Sequence, residues 1–298
     1  HTWQYQKESM RGKSELVKKD NANQTSSGLD RDYITQWSYG VDETLTLLVP
    51  NAKGGASIPL SQNETAMSKA NGDVLSMIPQ LYDAMPQYFG TQPGTSGPVY
   101  VGAFVLFLFV LGLFIVRTPL KWALLGATVL SVLLSWGHNF MGFTNFFLDY
   151  VPMYAKFRTV ASILVIAEFT IPLLAALTLK QIIDESSCLA KNMKYVYVSF
   201  GLTAGVALIM ALLPSMMGPF VSSQEQQMVE GIQGMTPDVQ SMILSSIATM
   251  RSAMVSADAW RSVIIIVIGV AMLLLFKVRK LTPVYLVAGL TLLCLVDL

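Results

Sequence analysis

The amino-acid sequence predicts an all-α integral membrane protein with about six transmembrane helices. Composition is the first reason, because 53% of the 298 residues are hydrophobic and only 13% are charged, whereas charged residues make up about 25% of an average soluble domain. The second reason is that apolar runs close to the length of a membrane span follow one another after residue 97. The third is that Lys and Arg residues are concentrated in every other loop between these runs, as the positive-inside rule requires.

The first 97 residues are polar, rich in Gly, Ser, Asn and Gln, and contain no run long enough to cross a bilayer. The formal net charge of the whole chain is +1, so no basic excess indicates a nucleic-acid partner. Cys188 and Cys294 lie far apart without neighbouring histidines, which predicts neither a zinc site nor a disulfide framework. The chain has no initiator Met and stops within an apolar run, so we expect it to be an internal piece of a longer protein.

Six apolar runs divide the rest of the chain. A bilayer core about 30 Å thick needs about 20 helical residues. The fifth and sixth runs are shorter than this, but the fifth is bounded by Arg261 and Lys277, whose long side chains can reach the interface. We predict spans near residues 99–116, 119–136, 160–179, 195–217, 261–277 and 281–297.

The basic residues of the short loops predict the orientation of these spans. Eight Lys or Arg residues lie between spans one and two, three and four, and five and six. The longer alternate loops, 137–159 and 218–260, hold few of them. We therefore predict that residues 1–97 and both of these loops are extracytoplasmic, while residues 98–298 form the transmembrane domain.

The 218–260 loop is too polar to cross the membrane, and its second half has the period of an amphipathic helix. Thr236 is a suitable N-cap and Pro237 a suitable first-turn residue. This helix is predicted either to lie on the membrane or to dock against the outer loops. It could simply cover a loop, or it could act as a lid over a lipid-facing site. Its apolar positions are Val239, Ile243, Ile247, Met250 and Met254.

Glu168 is the one charged residue of the third predicted span. Counted from Val160, it lies roughly 12 Å into the span at 1.5 Å per residue, where a charge costs at least ~2.5 kcal/mol. We therefore expect its carboxyl group to face protein or water. Two interpretations stay open, a hydrogen bond between helices and a proton relay, metal ligand or substrate contact. Pro172, four residues later, predicts a kink beside it.

The stretch 136–162 is an aromatic-rich outer loop at the membrane surface. This loop also contains Lys156 and Arg158. Because the positive-inside rule disfavours cations on the outer side of the membrane, these two side chains require a partner. The phosphate of a lipid headgroup is one candidate, and ordinary headgroups reached by the extended side chains are the alternative. His138 and Asp149 could act as acid, base or metal ligand, or could stabilise the loop.

Two short motifs in the polar segment have residue types that are found in binding sites. Asp30 and Asp32 could flank a metal ion or a sugar, or could belong to a solvated turn. Gly54 and Gly55 are not followed by Lys-Ser or Lys-Thr, so they do not indicate a nucleotide-binding loop.

Four long motifs resemble the YfhO-type bacterial membrane protein family, in its Bacteroidetes form. They are YITQWSYGVDETLTLLVPNAKGGAS, TSGPVYVGA, LLSWGHNFMGFTNFFLDYVPMYAKFRT and LVIAEFTIPLLAALTLKQI. The resemblance covers nearly all of the chain, and because members of the family are longer, the chain corresponds to their middle.

The resemblance implies a GT-C-like fold and glycosyltransferase activity. Such an enzyme would take a sugar from a polyprenyl-phosphate carrier at the outer face of the bacterial cytoplasmic membrane and transfer it to a cell-envelope polymer. Lys156, Arg158, Asn139 and Tyr154 would then belong to the carrier-phosphate site, and a divalent metal ion could take part.

The catalytic carboxylate of such enzymes usually lies in the first outer loop, which would precede His1. Asp149, His138 and Glu168 are therefore weak catalytic candidates. Two other functions stay open: a transporter or lipid flippase with Glu168 as its coupling acid, and a non-catalytic scaffold that docks partners on its outer segments.

Overall fold

The computed structural model describes residues 25, 29–156, 158–185, 187–232 and 234–298. The described residues are mostly helical and contain no β-strand, only an isolated bridge between Pro59 and Pro86. The chain divides into two compact units. Of the described residues, those within 25–44, 91–93 and 126–167 form the first unit, and those within 45–90, 94–125 and 168–298 form the second.

Thirteen α-helices, α1 to α13, are present among the described residues. In chain order they are Arg31–Thr35, Glu64–Met67, Gly72–Met77, Leu81–Ala84, Ala103–Ile115, Leu120–Ser135, Met141–Tyr150, Val165–Asp184, Cys188–Lys191, Met193–Leu212, Ser223–Glu230, Pro237–Lys277 and Pro283–Asp297. Short 3-10 helices lie between them, at Asp42–Leu47, Pro50–Lys53, Leu60–Gln62, Gly137–Phe140, Tyr154–Lys156, Val160–Leu164 and Pro214–Met217.

Three of the helical segments described are long and apolar enough to cross a membrane: Val160–Asp184, Met193–Leu212 and Pro237–Lys277. A fourth candidate is the pair Leu120–Ser135 and Gly137–Tyr150, which is bent by 106°. The predicted class, an all-α protein with helices suited to a membrane, is therefore confirmed. The number of six spans, their orientation and the GT-C-like fold stay predictions.

The first predicted span yields a shorter helix than expected. Helix α5 has 13 residues, about 20 Å at 1.5 Å per residue, because the backbone before it is held outside the helical conformation. Gly102 has a φ of 94°, and the carboxylate of Asp297 accepts a hydrogen bond from Ala103 N–H at 2.9 Å. Helix α13 has 15 residues.

The first unit is built around a small apolar core. Ile34 of α1 and Leu148 of α7 pack there with Ala155 and Val160, and all four side chains are buried. Gly137 lies at the start of the bend after α6, where a Cβ atom would come within 2.0 Å of the Ser38 hydroxyl oxygen. A residue without a side chain is therefore required at this close approach.

The second unit is organised by α12, a continuous helix of 41 residues that packs against α10, α5 and α13. The sequence predicted an outer helix and a separate fifth span here, but the structure joins them. Asp258 and Arg261 interrupt the apolar pattern at the junction, yet they pair with each other at 3.1 Å three residues apart, which is compatible with an unbroken helix. The predicted start at Thr236 and Pro237 is confirmed.

The apolar face predicted for the first half of α12 is buried in protein. Ile243, Ile247, Met250 and Met254 belong to a core cluster with buried side chains of the segment 60–85 and of α11. Of the two predicted positions, docking against other segments of the chain is therefore the one that the structure has.

Candidate functional site

A cavity of about 230 Å³ lies in the first unit, between α7 and α8 in the chain. It is formed where two 3-10 helices, Tyr154–Lys156 and Val160–Leu164, follow each other. Its lining combines a cation, hydroxyl groups and apolar side chains: Tyr154, Arg158, Thr159, Val160, Ser162 and Ile163.

Arg158 provides the positive charge of this cavity. Its guanidinium carbon lies 4.4 Å from the centre of the Trp37 ring and 4.9 Å from that of Tyr33, both distances typical of cation–π contacts. One guanidinium nitrogen also donates a hydrogen bond to the Tyr33 hydroxyl at 3.2 Å. None of the ion pairs between described residues includes Arg158. The charge is thus held in place by rings and is not neutralised by a carboxylate of these residues.

Tyr154 contributes a hydroxyl group to the same cavity. This hydroxyl is buried and has no hydrogen-bond partner among the described residues. Burial raises the pKa of Tyr154 to about 12, so the phenol stays protonated at neutral pH and can donate a hydrogen bond. A buried polar group without a partner is costly, so a ligand oxygen bonded to it would be stabilising.

The backbone of the cavity is strained at two positions. Met153 and Thr159 have φ values of 70°, in the left-handed region that costs a residue with a side chain roughly 1–2 kcal/mol. The Thr159 carbonyl accepts a hydrogen bond from the Ser162 hydroxyl at 2.8 Å, which helps to hold this conformation. The two strained residues flank the segment that carries Tyr154 and Arg158, a frequent property of ligand sites.

His138 and Asn139, predicted as site residues, lie in the same unit but do not line the cavity. Nδ1 of His138 is 2.9 Å from the Thr35 carbonyl oxygen, and because that oxygen can only accept, Nδ1 carries the proton in this bond. The Asn139 amide donates to the Tyr39 carbonyl at 2.9 Å. Both residues connect the 3-10 helix after α6 to the segment that follows α1.

The predicted carboxylates have structural partners. Asp149 accepts a bond of 2.6 Å from Arg31, whose other nitrogen donates to Asn145 at 2.6 Å. This ion pair connects α1 to α7. Asp30 is the N-cap of α1 and accepts from two backbone N–H groups, while Asp32 lies on the exposed side of that helix. A turn, one of the two interpretations of Asp30, is thus what the structure has.

Lys156 and Glu168 lie outside the cavity. Lys156 is half-buried in the preceding 3-10 helix and is not one of the lining residues. Glu168 is exposed in the first turn of α8, because the α-helix begins at Val165 and the five residues before it are a 3-10 helix. The carboxyl group is therefore eight residues into the candidate span Val160–Asp184 but in the first turn of its α-helical part, where the helix dipole favours a negative charge. Pro172 lies within the helix, and the kink expected there stays a prediction.

No group of three or more His, Cys, Asp or Glu side chains among the residues that the structure describes is placed to hold a metal ion. The divalent metal ion implied by the resemblance therefore has no assigned ligands in this part of the chain.

Sequence reasoning missed the two aromatic residues that hold Arg158. Tyr33 and Trp37 are four positions apart, so their side chains project in similar directions at the end of a short helix. This spacing was visible in the sequence, but nothing in it indicated that the partner lies more than 120 positions later, at Arg158.

These features define a helical membrane protein in which one of two units carries a cationic, ring-supported cavity. Comparison with known proteins adds no relative, since no family model, no curated protein and no solved structure matches the chain.

Proposed function

We propose that the chain is part of a polyprenyl-phosphate-sugar-dependent glycosyltransferase acting on cell-envelope polymers, and that the cavity of the first unit holds the carrier phosphate. The supporting observation is Arg158, a guanidinium without an acidic partner among the described residues, beside the unpartnered Tyr154 hydroxyl. The resemblance of the sequence to the YfhO-type family provides the reaction class.

The chemistry of the lining suits a phosphate ester. A guanidinium donates two parallel hydrogen bonds to phosphate oxygens, and the protonated phenol of Tyr154 can donate a third. When the sugar leaves the carrier, negative charge increases on the phosphate oxygens, so donors fixed in advance stabilise the transition state more than the ground state. The rings of Tyr33 and Trp37 fix the guanidinium before the ligand binds.

The position of the cavity suits a lipid. Val160 and Ile163 give it an apolar side, and the segment to which they belong leads directly into α8, a candidate span. Val165, the first residue of α8, is 61% exposed, as expected for a side chain that faces acyl chains. A phosphate at Arg158 would thus lie at the headgroup level, seven residues before the start of α8.

We expect Arg158→Ala to weaken the binding of a polyprenyl phosphate roughly ten- to a hundredfold, because hydrogen bonds to charged groups contribute about 1.5–3 kcal/mol. Binding is measured by native mass spectrometry or with radiolabelled lipid on the protein in nanodiscs. Lys156→Ala is the matched control: it removes a cation two positions away that does not line the cavity, and it should change the affinity little. Tyr154→Phe should show a smaller loss.

The same variants, placed in the full-length protein, connect binding to function. Arg158→Ala should reduce the glycosylation of envelope polymers, and Arg158→Lys should restore it only in part, since an ammonium cannot donate in the same planar geometry. Equal losses in Lys156→Ala and Arg158→Ala would show that net charge alone matters, and would remove the cavity from the proposal. Normal glycans in Arg158→Ala would remove the function.

A further inference from the structure

A second cavity, of about 220 Å³, lies in the second unit beside the middle of α12. The cavity lies next to the polar N-terminal segment and not next to the apolar half of α12. This apolar half begins after Arg261. Asn51, Asn63 and Thr65 line one side, and Asp258 and Arg261 line the other. All of these residues belong to the same compact unit.

Asp258 is the fixed element of this cavity. Its carboxylate is 8% exposed, accepts a bond of 2.7 Å from the Asn51 backbone N–H, and pairs with Arg261 at 3.1 Å. Two hydrogen bonds leave a carboxylate with further lone pairs. Its orientation is therefore set before any ligand binds, and its remaining acceptor capacity is available to a donor in the cavity.

Two other lining groups have hydrogen-bonding capacity that the protein does not use. The side-chain amide of Asn51 and the hydroxyl of Thr65 form no hydrogen bond with the described residues, although neighbouring Asn63 uses its amide to bond Ala66 N–H and Gln87. The amide offers two donors and an acceptor, and the hydroxyl one donor and two lone pairs. These groups together present donors and acceptors in nearly equal numbers.

The charge of the cavity decides which class of ligand it suits. Arg261 is shared between Asp258 and Asp297, so the three side chains carry a net charge of −1 and do not favour an anion. A metal ion is not favoured either, because Arg261 occupies one carboxylate oxygen and the described residues contain no group of metal ligands. Mixed donors and acceptors around a fixed carboxylate match hydroxyl groups, each of which both donates and accepts.

The size and the apolar surface agree with the same class. A water molecule takes up about 30 Å³ in the liquid. The volume of the cavity is therefore larger than that of a single ordered water molecule, and there is room for one small ring. Met254 and Ala257 supply an apolar patch between the polar groups, and a pyranose ring likewise has apolar C–H faces and polar edges. A few convergent polar groups on an apolar wall are typical of small-molecule sites.

We propose that this cavity binds a neutral, hydroxyl-rich ligand of the size of one sugar unit. Asp258 accepts from a pair of hydroxyl groups, Asn51 and Thr65 bond the adjacent ones, and Met254 and Ala257 lie against the ring face. The inference uses residues of the second unit only and does not depend on the carrier phosphate site, so either proposal can fail without the other.

The test is saturation-transfer NMR on the protein in nanodiscs, with free N-acetylglucosamine, glucose and galactose as probes. Ala257→Phe fills the cavity from an exposed position and should abolish the transfer to the sugar that binds. Thr65→Val removes one hydroxyl without a protein partner and should weaken binding about three- to tenfold. Ser245→Phe, also exposed on α12 but outside the cavity, is the matched control and should bind normally.

The outcomes separate the alternatives. Transfer to one of the sugars that disappears in Ala257→Phe and persists in Ser245→Phe supports the site. No transfer to any of the three sugars in the unmodified protein, or the same transfer in Ala257→Phe, overturns it. Inorganic phosphate and calcium ions are titrated in parallel, and competition by either at the same residues would identify an ion site instead and would also overturn the proposal.

Discussion

Replacing Glu225 by alanine should lower the free energy of unfolding by about 3–5 kcal/mol, because it leaves a buried arginine without its counter-charge. Arg251 is fully buried, and its two terminal nitrogens bond the two Glu225 oxygens at 2.6 and 2.9 Å. Two backbone carbonyls, those of Phe220 and Pro86, accept further bonds from it. These two carbonyls alone would not compensate for burying the charged guanidinium of Arg251, whose Nε already lacks a partner.

The measurement is unfolding by denaturant titration in mild detergent, followed by tryptophan fluorescence. Glu230→Ala is the matched control. Glu230 ends α11, the helix that carries Glu225, but it is exposed and forms no ion pair with the described residues. Glu230→Ala should change stability by no more than about 0.5 kcal/mol. The double variant Glu225→Leu/Arg251→Met should be more stable than Glu225→Ala. If Glu230→Ala and Glu225→Ala lower the free energy of unfolding by similar amounts, the ion pair between Glu225 and Arg251 adds no measurable stability.

The pH dependence of the same pair has a definite sign. Burial by itself would raise the pKa of Glu225, but the hydrogen bonds and charge of Arg251 together with bonds from Ser222 bring it below its usual 4.5. A carboxyl whose pKa is lower in the folded state stabilises the fold fully above pH 4.5 and loses this contribution as the pH falls through the folded value. The protein should therefore lose stability in acid. In Glu225→Ala, the free energy of unfolding should fall less steeply as the pH is lowered.

The sequence predicted local features of the fold well, because those depend on neighbouring residues. Thr236 and Pro237 begin α12 where predicted, although the Thr236 side chain makes no capping hydrogen bond. Helix α10 begins two residues before the fourth predicted span, 195–217, and ends five residues before the end of that span. Arg251 was different: in the sequence it looks like an ordinary basic residue of the predicted outer loop 218–260. Its burial depends on a partner 26 positions earlier, which no local pattern indicates.

The candidate site was predicted as a region and only partly as a set of residues. Lys156 and Arg158 look equivalent in sequence, but the positive φ of Thr159 and the two 3-10 helices place only Arg158 in the cavity. Asp149 looked free to act as an acid or base, whereas its partner, Arg31, lies 118 positions earlier. Non-local contacts of this kind decide which polar side chains have unused hydrogen-bonding capacity, and a single sequence does not contain them.

Gly54 is a buried loop glycine, and Gly54→Ala should be among the most destabilising glycine substitutions, with a loss of about 3 kcal/mol. Two costs add. The φ of Gly54 is 87°, which costs an L-residue roughly 1–2 kcal/mol. A Cβ atom there would also lie 2.0 Å from the backbone oxygen of Gln87, and overpacking of this kind costs about 1–3 kcal/mol. Backbone atoms held by the hydrogen bond from Gln87 N–H to the Ile58 carbonyl cannot move away as a side chain can.

Two further glycines separate these costs in the same denaturant titration. Gly234 has a φ of 84° with no atom within 4 Å of a built Cβ, so Gly234→Ala should show only the conformational cost, about 1 kcal/mol. Gly72 has neither a positive φ nor a close neighbour and lies in the first turn of α3, so Gly72→Ala should be neutral or slightly stabilising. If Gly54→Ala loses no more than Gly234→Ala, the approach to Gln87 is not a constraint, and the turn that presents Asn51 to Asp258 is less rigid than its contacts imply.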